Sequence, residues 1–148
     1  MSKTILLNQN WIFSKEGHDE PVTLPHTWNA IDGQDGGNDY YRGTCCYTTV
    51  LPDIVLPENG RAVLQFDAVA MTAEVYLNEQ KLAEHKGGYS AFCVDITDAL
   101  RNGINLLRVN VDNSDNDTVY PQKADFTFYG GIYRDVTLHV VPAAHFAL

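Results

Sequence analysis

Apolar and polar residues alternate along most of the chain. The clearest run is the segment Arg61 to Phe66, in which Ala62, Leu64 and Phe66 fall on one face of an extended strand. Because side chains on a strand point alternately to its two faces, this period of two predicts a half-buried strand. The same alternation predicts further strands in Ala73 to Asn78, Phe92 to Ile96, Leu106 to Val111 and Ile132 to Val140.

Turn and cap signals separate these predicted strands. The segment Asn78 to Lys81 lies between two of them and is predicted to form a hairpin turn. Thr97 is predicted to cap a single helical turn from Asp98 to Arg101, which Asn102 and Gly103 then end. Many short strands, long loops and no long helix predict an all-β fold, a jelly-roll β-sandwich with at most one short helical turn.

Length and charge narrow the range of functions. The 148 residues fit a single domain, residues 1–148, and are too few for a (β/α)₈ barrel of about 250 residues. Ten basic and nineteen acidic residues give a net charge of −9. This balance excludes the basic surface on which nucleic-acid binding depends, so no nucleic-acid partner is expected.

Signals for membrane insertion and for disulfides are missing from the sequence. No apolar run approaches the roughly 18 residues of a membrane span, and no signal-peptide core follows the first residues. We expect no membrane partner and a cytoplasmic chain by default, or a periplasmic or secreted one if a signal segment was trimmed. Cys45, Cys46 and Cys93 are expected to be reduced packing residues, because adjacent strand residues point apart and zinc spacing is absent.

Acidic and glycine residues supply some candidate chemistry. Asp112, Asp115 and Asp117 lie in a polar segment predicted to be an exposed loop, where oxygen ligands for Ca²⁺ are an alternative to simple solvation. Because the segment lacks the glycine and distal glutamate of an EF-hand, no metal site is assigned to it.

Neither a serine-nucleophile motif nor a nucleotide-binding glycine motif occurs in the sequence. Turns or close backbone approach explain the glycine pairs at 36–37, 87–88 and 130–131.

Aromatic residues beside polar ones form a second candidate. Trp28 precedes Asn29, and Asp125 precedes Phe126, with Tyr129 close by. Aromatic faces pack against the apolar C–H surface of sugars, while carboxylates and amides hydrogen-bond the sugar hydroxyls. Core packing, turns and capping are the alternative interpretations of the same residues. The pattern alone therefore favours carbohydrate binding without requiring it.

Several segments are more specific than these single residues. They are Leu24 to Asn29, Tyr41 to Gly43, Ala73 to Asn78, Gly87 to Tyr89, Phe92 to Thr97, Gly103 to Val109 and Gly130 to Val136. In their order and spacing they resemble the N-terminal sugar-binding domain of family 2 glycoside hydrolases, the group of β-galactosidases, β-glucuronidases and β-mannosidases. Within the last segment, Arg134 and Asp135 are expected to form a structural pair at the sheet edge.

The resemblance implies an architecture. It implies a galactose-binding-domain-like jelly roll that is the first domain of a longer protein, ahead of an immunoglobulin-like domain and a (β/α)₈ catalytic barrel. Both catalytic glutamates of the family belong to that barrel, so no catalytic residue is assigned to this chain. A homo-oligomeric parent is compatible with the resemblance.

The resemblance also implies site residues. In β-galactosidases of this group, residues at positions that match Asn29 and Asp125 reach the sugar held by the barrel. Asn29 and Asp125 are therefore expected to bind sugar, with Trp28, Phe126 and Tyr129 as an aromatic wall. Some members also bind a monovalent cation at the aspartate, which makes Asp125 a candidate Na⁺ ligand in an intact enzyme. Na⁺ or Mg²⁺ is compatible with the intact parent, and no cofactor is expected in this chain alone.

Three functions stay open from the sequence. The first is the non-catalytic sugar-binding domain of a retaining β-glycosidase, favoured as β-galactosidase-like, with a terminal β-galactoside or related glycoside and the remaining domains of its parent as partners. The second is a freestanding carbohydrate-binding module, which would bind a free sugar measurably. The third is a structural module for docking or oligomerisation, which an exposed apolar patch would favour.

Overall fold

The fold consists almost entirely of β-strands. A computed structural model describes residues 2–27, 44–69, 71–86, 91–112, 130–132 and 134–142. In order, the strands of this part are β1 (Lys3–Leu6), β2 (Trp11–Lys15), β3 (His18–Val22), β4 (Thr44–Val50), β5 (Arg61–Phe66), β6 (Thr72–Leu77), β7 (Gln80–Lys86), β8 (Phe92–Asp95), β9 (Leu106–Asp112) and β10 (Val136–Val141). One 3₁₀ turn, Thr97–Ala99, lies between β8 and β9. The predicted all-β class with one short helical turn is confirmed.

The strands form two antiparallel sheets. Within the described residues, the order of the smaller sheet is β1-β10-β5-β8, and the order of the larger sheet is β3-β2-β4-β9-β6-β7. The chain passes from one sheet to the other between β1 and β2, β4 and β5, β5 and β6, β7 and β8, β8 and β9, and β9 and β10. Both sheets contribute to one apolar core. The predicted jelly-roll sandwich is therefore confirmed.

The core lies between the sheets and follows the predicted alternation. On β9, Leu107, Val109 and Val111 are fully buried, whereas Leu106 points to the outer face. Burying a side chain of this kind contributes about 1.5–3 kcal/mol relative to leaving it exposed. On β5 the alternation breaks, because Val63 is buried between two buried neighbours. That strand is therefore covered on both faces at this point.

The hairpin between β6 and β7 is tighter than predicted. Its turn consists of Asn78 and Glu79 alone, with φ angles of 51° and 71°, and Gln80 already belongs to β7. Two central residues with positive φ match the right-handed twist of antiparallel strands, whereas central residues with negative φ would splay them. The side chain of Asn78 is held in place by Leu106, whose backbone N–H donates to Asn78 Oδ1 at 2.8 Å.

The helical turn is also shorter than predicted, and Thr97 does not cap it with its side chain. Instead, the Thr97 hydroxyl accepts a hydrogen bond of 2.8 Å from the backbone N–H of Ala62. The backbone N–H of Thr97 donates to Asp95 Oδ1 at 2.9 Å. Thr97 thus ties the turn to β5, a long-range role that its local sequence does not indicate.

The cysteines are free, as predicted, but they do not share one environment. Cys45 is buried and Cys46 is half-buried, whereas Cys93 is exposed and so is not a packing residue. The physical reason is that Cys93 points away from the core on β8, between Phe92 and Val94. Desolvation raises the pKa of all three thiols, that of Cys45 to about 12. None of them is therefore activated as a thiolate nucleophile.

The last predicted strand and the predicted Arg134–Asp135 pair both need correction. β10 begins at Val136 rather than at Ile132, and Arg134 is exposed. Asp135 Oδ1 accepts a hydrogen bond of 2.9 Å from Asn8 Nδ2, and Asn8 Oδ1 accepts one of 3.2 Å from the Val136 backbone. The partner of the Asp135 side chain is therefore Asn8, in the turn between β1 and β2.

No helix in the described ranges is long and apolar enough to cross a membrane.

Candidate functional site

The predicted sugar-site residues lie outside the described residues. They are Trp28, Asn29, Asp125, Phe126 and Tyr129. Thr27 is described and directly precedes the first of these two segments, and Gly130 is described and directly follows the second. The placement of these flanking residues shows where each segment is attached to the sandwich.

The two attachment points are in direct contact. The hydroxyl of Thr27 donates a hydrogen bond of 2.7 Å to the carbonyl oxygen of Gly130. One residue earlier, the backbone N–H of His26 donates to the carbonyl oxygen of Ile132 at 2.8 Å. The segments that carry the two groups of predicted site residues are therefore anchored at one place in the fold.

Gly131 makes this close crossing possible. Its φ of +139° lies in a region that side chains with a Cβ rarely adopt. A Cβ at this position would lie 2.9 Å from Thr27 Cα and 2.9 Å from the Tyr47 hydroxyl, and it would press on the carbonyl oxygen of His26. The prediction that this glycine pair allows close backbone approach is thus confirmed at Gly131. The other two predicted pairs lie outside the described residues.

A buried tyrosine lies beneath the crossing. Tyr47 of β4 has no exposed surface. Its hydroxyl lies 2.6 Å from Nδ1 of His26, and the nearby backbone of Ile132 partly offsets the effect of burial on its pKa. The Phe13 ring packs on both side chains, with ring centroids 4.7 Å from His26 and 5.0 Å from Tyr47. The Trp11 ring packs edge-on against the Tyr47 ring, with the two ring centroids 6.4 Å apart.

Burial sets the protonation of this pair. Desolvation raises the pKa of Tyr47 far above its ordinary value, so the hydroxyl keeps its proton. Desolvation also lowers the pKa of His26 below 6.5, although the charge of Glu20 acts in the opposite direction. A neutral His26 ring can accept the hydroxyl proton at Nδ1. The Tyr47 hydroxyl and His26 Nδ1 then satisfy each other.

Sequence reasoning missed Tyr47, and it included His26 only as part of the segment Leu24 to Asn29, with no role of its own. Tyr47 lies within an ordinary half-buried strand pattern, and its partner His26 is 21 positions away in the chain. No local signal distinguishes it from a core tyrosine. Only the pairing of the strands brings its hydroxyl to the crossing.

No metal centre is evident in the described part of the chain. No group of three His, Cys, Asp or Glu side chains there is placed to hold an ion. Asp112 lies at the end of β9, where its carboxylate accepts a hydrogen bond of 3.2 Å from the Thr44 hydroxyl. Asp115, Asp117 and the candidate Na⁺ ligand Asp125 lie outside the described residues, so those predictions stay predictions.

An exposed apolar patch lies on the outer face of the larger sheet. Ile12, Val50 and Leu106 are 39%, 56% and 39% exposed and line one shallow depression. Beside them, the Arg108 guanidinium lies 4.4 Å from the centre of the Tyr76 ring. Exposed apolar surface of this kind is the feature that a docking role predicts.

Comparison with known proteins places the chain in a family. Residues 2–142 match the model described as glycosyl hydrolases family 2, sugar binding domain. A β-glucuronidase of Bacteroides fragilis is 43% identical over 141 residues, which cover 90% of this chain and 20% of that protein. A β-galactosidase of Thermoanaerobacterium thermosulfurigenes is 32% identical over 155 residues, which cover 95% of this chain and 22% of that protein.

Solved structures agree with these relatives. The FMN-binding β-glucuronidase from Facaelibacterium prausnitzii L2-6 superposes with a TM-score of 0.90 at 44% identity, over 96% of this chain and 23% of that one. A Bacteroides uniformis β-glucuronidase superposes with a TM-score of 0.82 at 36% identity, over 96% of this chain and 18% of that one. The chain spans about a fifth of the length of the curated relatives it matches. It belongs to the sugar-binding domain family of the family 2 glycosyl hydrolases.

Proposed function

We propose that this chain is the non-catalytic sugar-binding domain of a longer retaining β-glycosidase and supplies one wall of its sugar pocket. The observation that supports this most directly is the contact between His26–Thr27 and Gly130–Ile132. Asn29 follows Thr27 by two residues and Asp125 precedes Gly130 by five. The two proposed sugar ligands are thus carried by segments that share one anchoring point.

The proposed chemistry is binding rather than bond cleavage. The carboxylate of Asp125 accepts hydrogen bonds from sugar hydroxyls, and the amide of Asn29 both donates and accepts. Trp28, Phe126 and Tyr129 pack against the apolar face of the sugar ring. The glutamates that break the glycosidic bond belong to the absent barrel, which is the main partner proposed for this domain.

A terminal β-glucuronide is the first candidate substrate of the parent protein. The relatives at 43% and 44% identity are named β-glucuronidases. An aspartate would repel the carboxylate of a glucuronide, so Asp125 is proposed to bind the hydroxyls while the rest of the parent recognises the carboxylate. A β-galactoside is the second candidate, which the 32% identical β-galactosidase and the match of Asn29 and Asp125 both favour.

The apolar patch supports a contact between this domain and the rest of the parent. Ile12, Val50 and Leu106 leave apolar surface open to water in the chain by itself, and the curated relatives contain about four times as much further chain. Sugar binding and docking are therefore compatible roles of one domain. The docking role alone would leave Asn29 and Asp125 without a function.

Substitutions in the full-length protein that carries this domain test the proposal. Asn29→Ala and Asp125→Ala are each expected to raise KM about tenfold for the better of two probes, 4-nitrophenyl β-D-glucuronide and 4-nitrophenyl β-D-galactoside, because each loses about 1.4 kcal/mol of binding. Asp53→Ala, at an exposed acid on the loop after β4, is the matched control and should leave KM unchanged. The two probes also decide between the candidate substrates.

The isolated 148-residue chain completes the test. It is expected to hydrolyse neither probe and to bind either sugar only weakly, since part of a pocket makes too few contacts to offset the cost of association. Turnover by this chain that an internal substitution abolishes would overturn the proposal. Tight binding of a free sugar would instead identify a freestanding module, and an unchanged KM in both Asn29→Ala and Asp125→Ala would exclude the assigned ligands.

A further inference from the structure

We infer that Tyr47 is a positioning residue, whose hydroxyl holds together the two segments that carry Asn29 and Asp125. This inference rests on the proposed function, because positioning has a measurable effect only if those segments bind the substrate. It assigns a role in the site to a strand residue that does not itself reach the sugar.

The first step of the argument is that one hydroxyl contacts both segments. Tyr47 lies 2.6 Å from Nδ1 of His26, which leads into the first segment. On its other side the same oxygen lies against Gly131, which follows the second segment, since a Cβ added to Gly131 would lie 2.9 Å from it. A single hydroxyl group thus lies against both segments.

The second step is that the hydroxyl is held rigidly. β4 pairs with β2 on one side and with β9 on the other, so Tyr47 lies inside the larger sheet rather than at its edge. Its ring is fully buried against Phe13 and Trp11. A binding group keeps its geometry when its supporting residues have one packed orientation, and Tyr47 meets that condition.

The third step is that the contact has no space for adjustment. Gly131 lies so close to the Tyr47 hydroxyl that a Cβ would approach it to 2.9 Å. His26 and Thr27 are fastened to the opposite chain by two further hydrogen bonds of 2.8 and 2.7 Å. Removal of the hydroxyl leaves His26 Nδ1 without this partner. We therefore expect the contact between His26–Thr27 and Gly130–Ile132 to relax.

The matched pair Tyr47→Phe and Thr49→Val provides the test, in the full-length protein used above. Each variant removes one hydroxyl from the inner face of β4. Thr49 donates its hydroxyl hydrogen bond of 2.9 Å to the carbonyl oxygen of Asn10, in the turn between β1 and β2 and away from the crossing. With the better 4-nitrophenyl glycoside, Tyr47→Phe is expected to raise KM about three- to tenfold with kcat within about twofold. Thr49→Val is expected to change neither constant.

Coupling and a second variant strengthen the test. In an Asp125→Ala background, Tyr47→Phe is expected to raise KM less than about twofold, because residues that act through one another are not additive. His26→Phe removes the other side of the contact and should reproduce the rise in KM. Unfolding midpoints in urea for all variants show whether each one is folded under the assay conditions.

The outcomes separate this inference from the proposed function. If Asp125→Ala raises KM while Tyr47→Phe behaves like Thr49→Val, the positioning role is wrong and the proposed function stands. An equal effect of Tyr47→Phe with and without Asp125 also overturns the positioning role. If Asn29→Ala and Asp125→Ala leave KM unchanged, the proposed function itself fails, whatever Tyr47→Phe does.

Discussion

The Thr27 hydroxyl and the Gly130 carbonyl oxygen are 2.7 Å apart, although 103 positions separate the two residues in the chain. Closing so long a loop costs chain entropy, which the pairing of the strands between the two residues offsets. The anchoring point of the proposed sugar site is therefore a product of the complete sandwich. Substitutions that weaken the crossing should affect stability and binding together.

Gly131→Ala is predicted to be one of the most destabilising single changes in this domain. Alanine at a positive φ costs about 1–3 kcal/mol by itself, and here its Cβ would also press on the backbone of His26 and Thr27. Gly17→Ala is the matched control, since Gly17 has a φ of +81° but no atom within 4 Å of the added Cβ. In urea unfolding of the chain, Gly131→Ala is expected to lose at least about 2 kcal/mol more than Gly17→Ala. Equal losses would show that the crossing is not tight.

Asn8→Ala is predicted to destabilise the fold by about 1–3 kcal/mol, because it leaves the Val136 N–H without its side-chain acceptor in a buried setting. Asp135→Asn preserves an oxygen for Asn8 Nδ2 and should cost less than about 1 kcal/mol. Arg134→Ala should have almost no effect, since Arg134 is exposed. Chemical denaturation of the three variants tests this arrangement. Because an exposed Arg134–Asp135 ion pair would contribute less than about 1 kcal/mol, a loss for Asn8→Ala no larger than that for Arg134→Ala would contradict it.

The free energy of unfolding is predicted to decrease as the pH is lowered, because of the protonation of His26. Desolvation lowers the pKa of His26 in the folded state below the ordinary value of 6.5, so the unfolded state binds this proton more readily. The contribution of neutral His26 to stability is therefore fully present above pH 6.5, and it is lost as the pH falls toward the lower pKa of the folded state. Unfolding free energies measured between about pH 7.5 and about pH 5.5 should fall less steeply for His26→Phe than for the unsubstituted chain. Parallel curves would contradict the prediction.

Part of the fold could be predicted from the sequence. One face of a central strand packs in the core and the other faces solvent, so apolar and polar residues alternate along it. β9 shows this clearly, with its buried residues two apart. β3 does not, since its sequence His-Asp-Glu-Pro-Val is polar and its residues are mostly exposed. It is a strand because it pairs with β2, and local pattern carries no information about that pairing.

The same distinction applies to the site. The close approach at Gly131 could be predicted, because two adjacent glycines in front of a strand indicate either a turn or the close approach of another backbone segment. The roles of Asn8 and Tyr47 could not, because each depends on hydrogen bonds to residues far along the chain. Asn29 and Asp125 were identified by resemblance to a family, and the family is confirmed. Their contact with sugar stays a prediction.

The neighbouring leucines of β9 give the most direct test of the strand register. Leu107 is fully buried between the sheets, whereas Leu106 is 39% exposed on the outer face, opposite Val50 of β4. Leu107→Ala should cost about 2–5 kcal/mol because it leaves a cavity in a packed core, and Leu106→Ala should cost less than about 1 kcal/mol. Urea unfolding followed by circular dichroism measures both changes against the unsubstituted chain. Since a slip of one residue would exchange the two faces of the strand, a larger loss for Leu106→Ala would contradict the sandwich described here.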